Sequence, residues 1–312
     1  MIDFCAITLA HPIINGSGTF DVIAARRVFG DALLQAFPFS AFVSKTITLR
    51  PREGNPPPRL WEAQAGLINS IGLPNRGLRG YLEHDLPQLA ALPVPLITNV
   101  MGSTASEVAR LVEALDEREE VAAIELNVSC PNVRTGLDVG ADPRSLGTLV
   151  RAVRPLTRKP LIVKLTPNTA DVAAVALAAE AEGADAVSLI NTLRAAALAP
   201  GGGARPWLGG GTGGLSGPAI RTIALAQVAA VARGVRIPIV GMGGVTGGEH
   251  ALDLMAAGAT LVAVGTESFR DPAAGGRIAE ELKSLQIAGT HSTNVNASQA
   301  QVEVDVNSAD LR

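Results

Sequence analysis

Cysteine is scarce: only Cys5 and Cys130 occur among 312 residues. Two thiols cannot build a disulfide framework, which predicts a reducing compartment. They are also too few for an iron–sulfur cluster, which takes about four thiolates. Aromatic residues make up 3% of the chain, and a net charge of −3 comes without any block of Lys or Arg. Little is therefore available for base stacking or for a phosphate backbone, and no nucleic-acid partner is expected. No stretch approaches the ~20 apolar residues of a membrane span. The start MIDFCAITLAHPIING lacks the basic and apolar regions of a secretory leader, so a cytoplasmic protein away from membranes is expected. P-loop, H-E-x-x-H and zinc-spaced cysteine motifs are missing, His11, His84, His250 and His291 are scattered, and no metal is expected.

Lysine is the last shortage. Of 26 basic residues, only Lys45, Lys159, Lys164 and Lys283 are lysine. Two of these four, Lys45 and Lys164, end strand-like runs (Phe42-Val43-Ser44-Lys45 and Leu161-Ile162-Val163-Lys164). A compact ammonium at a strand end does what a guanidinium fork does not, and both are candidate site residues.

What is abundant is apolar material, 47% of residues, enough for a large core. Short apolar runs alternate with amphipathic, alanine-rich stretches. Strands are predicted at 12–15, 41–44, 96–100, 123–127, 161–165, 186–190, 237–241 and 261–264. Helices are predicted at 22–29, 78–91, 103–115, 143–156, 171–182, 218–233, 248–257 and 272–285, with Ser103, Asp142, Asp171 and Asp271 at their starts and Gly183, Gly234 and Gly258 after their ends. About eight strand–helix pairs match an α/β fold of the (β/α)₈ TIM-barrel type. A doubly wound open sheet is the rival. One domain over 1–285 is expected, followed by a polar, poorly ordered tail over 286–312 in which 301–306 could add a strand. Two connections, 46–77 and 191–217, exceed the usual loop length and are candidate functional segments.

Chemistry collects at the carboxyl ends of the predicted strands, where barrels place their sites. The run Ile124-Glu125-Leu126-Asn127-Val128-Ser129-Cys130-Pro131-Asn132 carries a strand into a loop that displays a thiol between amides. Gly241-Met242-Gly243-Gly244 and Val264-Gly265-Thr266 follow the last two strands, the usual phosphate position in a barrel. Gly209, Gly211 and Gly214 spell G-x-G-x-x-G, but no strand precedes them and a dinucleotide fingerprint is not inferred. Lys45, Asn99, Asn127, Cys130, Lys164 and Asn191 thus share one end with a phosphate anchor. Such a set suits a phosphorylated planar cofactor facing a small polar heterocycle.

On these residues the chain resembles the class 1 dihydroorotate dehydrogenases, FMN-containing barrels of pyrimidine synthesis. The likeness extends to about residue 285 and rests on Ser44-Lys45-Thr46, the run from Asn69 to Asn75, Asn127 to Asn132, Ile190-Asn191-Thr192, Gly213 to Ile220, Gly243-Gly244 and Gly265-Thr266. It implies that Gly243, Gly244, Gly265 and Thr266 hold the FMN phosphate. Ser17, Lys45, Thr46, Asn99, Asn127, Lys164, Ile190 and Gly217 would complete the flavin site. Dihydroorotate, or its product orotate, would meet Lys45, Asn69, Ser70, Ile71, Gly72, Leu73, Asn127, Asn191 and Thr192. Cys130 would be the catalytic base, with Gly136 and Gly140 in a mobile lid. Ile190-Asn191-Thr192 and Gly214 to Ala219 resemble the NAD-linked B branch. That branch implies a partner subunit carrying FAD and an iron–sulfur centre, around a homodimer core within a heterotetramer. Residues 68–75 fit both branches, and the loop from Arg194 to Gly211 departs from the family pattern. The alternatives are the fumarate-linked A branch, a flavin-dependent dihydropyrimidine dehydrogenase, and a Schiff-base lyase using Lys164.

Overall fold

The computed structural model describes residues 1–128, 139–201 and 203–288. In chain order its strands are β1 (Ile2–Phe4), β2 (Ile7–Leu9), β3 (Ile13–Asn15), β4 (Phe42–Val43), β5 (Leu60–Ala63), β6 (Gly66–Asn69), β7 (Leu96–Val100), β8 (Val121–Asn127), β9 (Leu161–Lys164), β10 (Ala186–Leu189), β11 (Leu193–Ala195), β12 (Gly213–Ser216), β13 (Ile239–Met242) and β14 (Leu261–Val264). The eight apolar runs become one parallel sheet in the order β3-β14-β13-β10-β9-β8-β7-β4. That order follows the chain around a ring, without the reversal that defines a doubly wound sheet. The result is a nearly closed (β/α)₈ barrel. Its strands are buried on both faces, which is why each reads as a continuous apolar run rather than an alternating one.

β3 and β4 do not share a ladder. The seam is held instead by Ser40 N–H donating to Ile13 O at 3.0 Å and by the Asn15 side chain. Asn15 Oδ1 accepts Val43 N–H and its Nδ2 donates to Val43 O, each at 2.8 Å. An asparagine amide here replaces one rung of backbone pairing.

Helices surround the barrel as expected, at Val22–Phe29, 77–89, Ala105–Asp116, Pro143–Val153, Val172–Ala181, Arg221–Ala232, Gly248–Ala256 and 274–288. The last runs three residues past the expected boundary at 285, while the tail from 289 and the strand expected at 301–306 lie outside the described residues. Asp142 and Asp171 cap as predicted, accepting the N–H of Ser145 at 2.8 Å and of Ala174 at 3.0 Å. At the helix expected to start on Ser103 the cap is Thr104. Its hydroxyl takes Glu107 N–H at 3.2 Å while the Glu107 carboxylate takes Ser103 N–H at 2.7 Å, so the helix is capped one residue later than expected. Gly183 and Gly258 adopt the left-handed conformation expected after a helix, with φ of 92° and 113°; Gly234 does not.

Two features were not anticipated. β1 and β2 form a hairpin whose two-residue turn, Cys5-Ala6, has φ of 51° and 63° without any glycine or asparagine. The hairpin packs Phe4 and Leu9 onto Ile14, Ala41, Ile97 and Ile162, closing the amino end of the barrel. The two long connections pair with each other, giving an antiparallel sheet in the order β11-β12-β6-β5. Its outer end is pinned by Trp61 and Trp207, edge to face with centroids 5.5 Å apart.

Candidate active site

Parallel neighbours in register share a face, so the pairings Asn99↔Glu125, Asn127↔Lys164 and Lys164↔Ser188 place five polar side chains together in the barrel. All five are buried. Glu125 accepts the Ser188 hydroxyl at 2.7 Å and an N–H of Asn99 Nδ2. Asn99 Oδ1 is buried and has no hydrogen-bond partner among the described residues. Lys164 is only 6% exposed, and no counter-ion or hydrogen-bond acceptor meets its ammonium among the described residues. A buried cation and a buried bare acceptor are both costly, by about several kcal/mol and about 1–3 kcal/mol respectively, unless a ligand completes them.

Above this layer, Thr46 Oγ1 accepts an N–H from Asn127 at 3.3 Å and lies 3.4 Å from Ser17 Oγ, which donates to Ser44 O at 2.8 Å. Lys45, at the end of β4, is exposed at the mouth. Partial desolvation lowers its pKa from the ordinary lysine value; Asp21 and Asp85 oppose that shift and Arg59 adds to it.

The glycine turns form a cradle. Gly217, Gly243 and Gly244 have φ of 89°, 128° and 72°, a region side chains rarely adopt. A Cβ on Gly244 would lie 2.6 Å from Arg221 Cβ and 3.0 Å from Gly217 O, and one on Gly243 would lie 3.3 Å from Ile190 Cγ1. Ile190, Gly217, Gly243 and Gly244 are therefore mutual neighbours, with Gly217 immediately before the helical residues Pro218–Ile220. Gly265 precedes the turn Thr266–Phe269, and Thr266 Oγ1 donates to Ser216 Oγ at 2.9 Å. Backbone N–H groups at short helical starts, with no side chains between them, fit an anionic group.

The antiparallel sheet brings the remaining candidates to the same mouth. Asn69 Nδ2 donates to Gly214 O at 3.3 Å. Asn191 Nδ2 lies 3.5 Å from Asn127 Oδ1, and Asn191 Oδ1 accepts Thr192 N–H at 2.7 Å. Ile71 leads into Gly72 and Leu73, which turn through φ of 75° and 57°. Ser70 differs from the expectation: it is fully buried, its hydroxyl donates to Thr212 O at 2.8 Å and its N–H to Arg59 O at 2.7 Å, so it braces the sheet. Gly140 is also buried, where a Cβ would lie 2.5 Å from Val128 O. Cys130, Asn132 and Gly136 lie outside the described residues; β8 ends three residues before Cys130.

Sequence reasoning missed Asn15, Glu125 and Asn168. Asn168 ties β11 to the barrel, donating to Thr192 O at 3.0 Å and accepting Arg194 N–H at 2.9 Å. Glu125 had a signal, a carboxylate in the middle of the apolar run Ala123-Ile124-Glu125-Leu126. Among the described residues no cluster of His, Cys, Asp and Glu could hold a metal, and no helix is long and apolar enough to cross a membrane.

Residues 1–285 match the family described as dihydroorotate dehydrogenase. A relative from Geobacter sulfurreducens, named dihydroorotate dehydrogenase B (NAD(+)), catalytic subunit, is 45% identical over 284 residues, 90% of this chain and 91% of its own. One of the same name from Citrifermentans bemidjiense is 45% identical over 283 residues, again 90% and 91%. A relative from Solibacter usitatus, provisionally named dihydroorotate dehydrogenase A (fumarate), is 44% identical over 279 residues, 89% of this chain and 90% of its own. With nine-tenths of its length matched and the polar layer and glycine cradle at the end of the barrel where chemistry is done, the chain belongs to the dihydroorotate dehydrogenase family.

Proposed function

We propose that this chain is the catalytic subunit of an NAD-linked dihydroorotate dehydrogenase, oxidising (S)-dihydroorotate to orotate with FMN as resident cofactor. The observation that carries the reading is the buried polar layer, in which Lys164 has no counter-ion and Asn99 a bare acceptor among the described residues, beside a cradle of glycines that leaves no room for side chains. These residues fit FMN. Gly243, Gly244, Gly265 and Thr266 would hold its phosphate, while Ser17, Lys45, Thr46, Asn99, Asn127, Lys164, Ile190 and Gly217 would complete the flavin site. What FMN supplies when bound is an acceptor for the hydride leaving C6 of the substrate.

The chain's own residues do the rest. Asn69, Asn127, Asn191 and Thr192, with the backbone of Ile71 to Leu73, present donors and acceptors to a ring that alternates both; a substrate lacking them leaves buried amides unpaired. Lys45 meets an anionic substrate at the mouth, which restores a neighbour to its partly desolvated ammonium. Cys130, as thiolate, takes the proton from C5 as the C6 hydride departs, so that the C5–C6 double bond forms with both hydrogens accounted for. Lys164 sets a fixed positive charge beside the group that gains electron density. Relatives named "catalytic subunit" support a separate partner subunit, and we assign it FAD and an iron–sulfur centre, as the resemblance to the NAD-linked branch implies; the two cysteines of this chain are too few for a cluster of its own.

The test is a visible spectrum of the purified chain before and after anaerobic dihydroorotate. A yellow protein bleached by dihydroorotate but not by dihydrouracil, reducing NAD only with its partner, is expected. A colourless protein that FMN cannot reconstitute overturns the reading, and rapid unaided fumarate reduction moves it to the A branch.

A further inference from the structure

Glu125 is a buried carboxylate that the reaction does not use. It stands on β8 inside the barrel, 3% exposed, and no Lys or Arg lies within ion-pair distance of it among the described residues. Its two oxygens are served by neutral donors from either side, Asn99 on β7 and Ser188 on β10, the latter at 2.7 Å. A carboxylate only accepts, so it can bind Asn99 in one sense alone: the amide nitrogen faces Glu125 and the carbonyl oxygen is turned away. That oxygen is the buried acceptor without a partner. If a glutamine or an apolar residue stood at this position, the Asn99 amide could rotate and offer a donor in its place.

We propose that Glu125 is a positioning residue of the cofactor site, fixing the sense of the Asn99 amide so that an acceptor and not a donor faces the bound ring. The inference rests on the FMN reading above. An acceptor matches the imide N–H of the isoalloxazine, and the same orientation would repel a ligand that offers only carbonyl oxygen there. Ser188 supports the carboxylate but does not choose the sense of Asn99, because a hydroxyl both donates and accepts. The three residues therefore rank in importance for the cofactor as Asn99, then Glu125, then Ser188.

The experiment is a double-mutant cycle on the apoprotein, read by FMN affinity (flavin fluorescence quenching) and by the bound flavin's visible band, with thermal unfolding as a fold check. Glu125→Gln should weaken FMN about tenfold, the scale of one hydrogen bond, and shift the band to that of Asn99→Ala. In an Asn99→Ala background the same change should add less than about twofold, since both act through one contact. Ser188→Ala should stay within about twofold of the wild type. Should Glu125→Gln fold poorly, Glu125→Asp withdraws the acceptor by one methylene and should give the same loss and band. Additive effects of Glu125 and Asn99, or a Ser188→Ala loss equal to that of Glu125→Gln, or an E125Q protein with wild-type affinity and spectrum, each overturns the proposal. A wild-type chain that binds no FMN instead overturns the flavin reading on which it stands.

Discussion

At the amino end of the barrel, Ile97, Ala123, Ile162 and Ala186 face inward and receive Phe4 and Leu9 of the β1–β2 hairpin. Two residues further along the same four strands, the inward positions are Asn99, Glu125, Lys164 and Ser188. One step of the strand period thus separates a dry layer from a polar one. The dry layer contributes through burial, about 1.5–3 kcal/mol for each large side chain. The polar layer works against folding wherever its groups lack partners. Stability and chemistry are stacked as adjacent storeys of one barrel, and each tolerates what the other cannot.

That separation can be broken from either side. The largest effect is expected at the dry end: Phe4→Ala should cost about 3–5 kcal/mol in denaturant unfolding, with FMN affinity unchanged within about twofold. A folded F4A protein that has lost its flavin would mean that the two layers are coupled. At the other end, Cys130→Ala should slow flavin reduction by dihydroorotate about 10²-fold in stopped flow, with orotate binding and the unfolding midpoint kept. Near-normal reduction would assign the proton to another group.

The seam comes next. Asn15→Ala removes both of its hydrogen bonds to Val43 and leaves that residue's N–H and C=O in a buried position, so a loss of about 2–3 kcal/mol is expected by thermal unfolding; a neutral change would show the seam to be held by Ser40 alone. The two cysteines give a smaller, comparative readout. Burial, with Asp185 and Asp3 nearby, pushes the Cys5 thiol up to about 11. At pH 8 only about one Cys5 in a thousand is thiolate. Iodoacetamide followed by peptide mapping should therefore label Cys130 at least about tenfold faster than Cys5.

The smallest effect concerns Asp116, the last residue of the helix Ala105–Asp116. Its carboxylate accepts the Thr157 hydroxyl at 2.7 Å and Arg158 N–H at 2.8 Å, and the Thr157 bond above all holds its pKa below the usual value. Asp116→Asn should cost less than about 1 kcal/mol at pH 7, because the group is largely solvated. A depressed carboxyl stabilises the fold above its unfolded pKa and ceases to do so as pH falls through the folded one. The difference between wild type and D116N should therefore shrink in acid; a gap that widens there would contradict the assignment.

The barrel was legible because parallel strands buried on both faces must be apolar throughout, and because Asp142, Asp171, Gly183 and Gly258 punctuate the helices by local chemistry. The hairpin was not, since Cys5-Ala6 carries none of the residues that usually mark such a turn. The antiparallel sheet was hidden by distance and by glycine: Gly213 and Gly214 look like loop, and are there because a Cβ at Gly214 would fall 1.9 Å from Thr192 Oγ1. Lys164 stood out by rarity and strand position. Asn15, Asn168 and the turned-away Ser70 depend on partners far along the chain, which no local pattern announces.

Distance along the chain also sets a timetable. Asn69 meets Gly214 across 145 residues of sequence, so at about 5–20 residues per second on a ribosome the first half of this sheet is made roughly seven to thirty seconds before the second. During that interval β5 and β6 have an unpaired edge, and Trp61 waits for Trp207. From β4 onward the barrel strands can pair as they emerge, β7 with β4, β8 with β7 and β9 with β8, but the platform that carries Asn69, Asn191 and Thr192 cannot assemble until β12 arrives. On the substrate site proposed above, a nascent chain can thus hold much of its barrel while the platform for substrate is still missing, and binding competence waits for β12, about two thirds of the way along the chain.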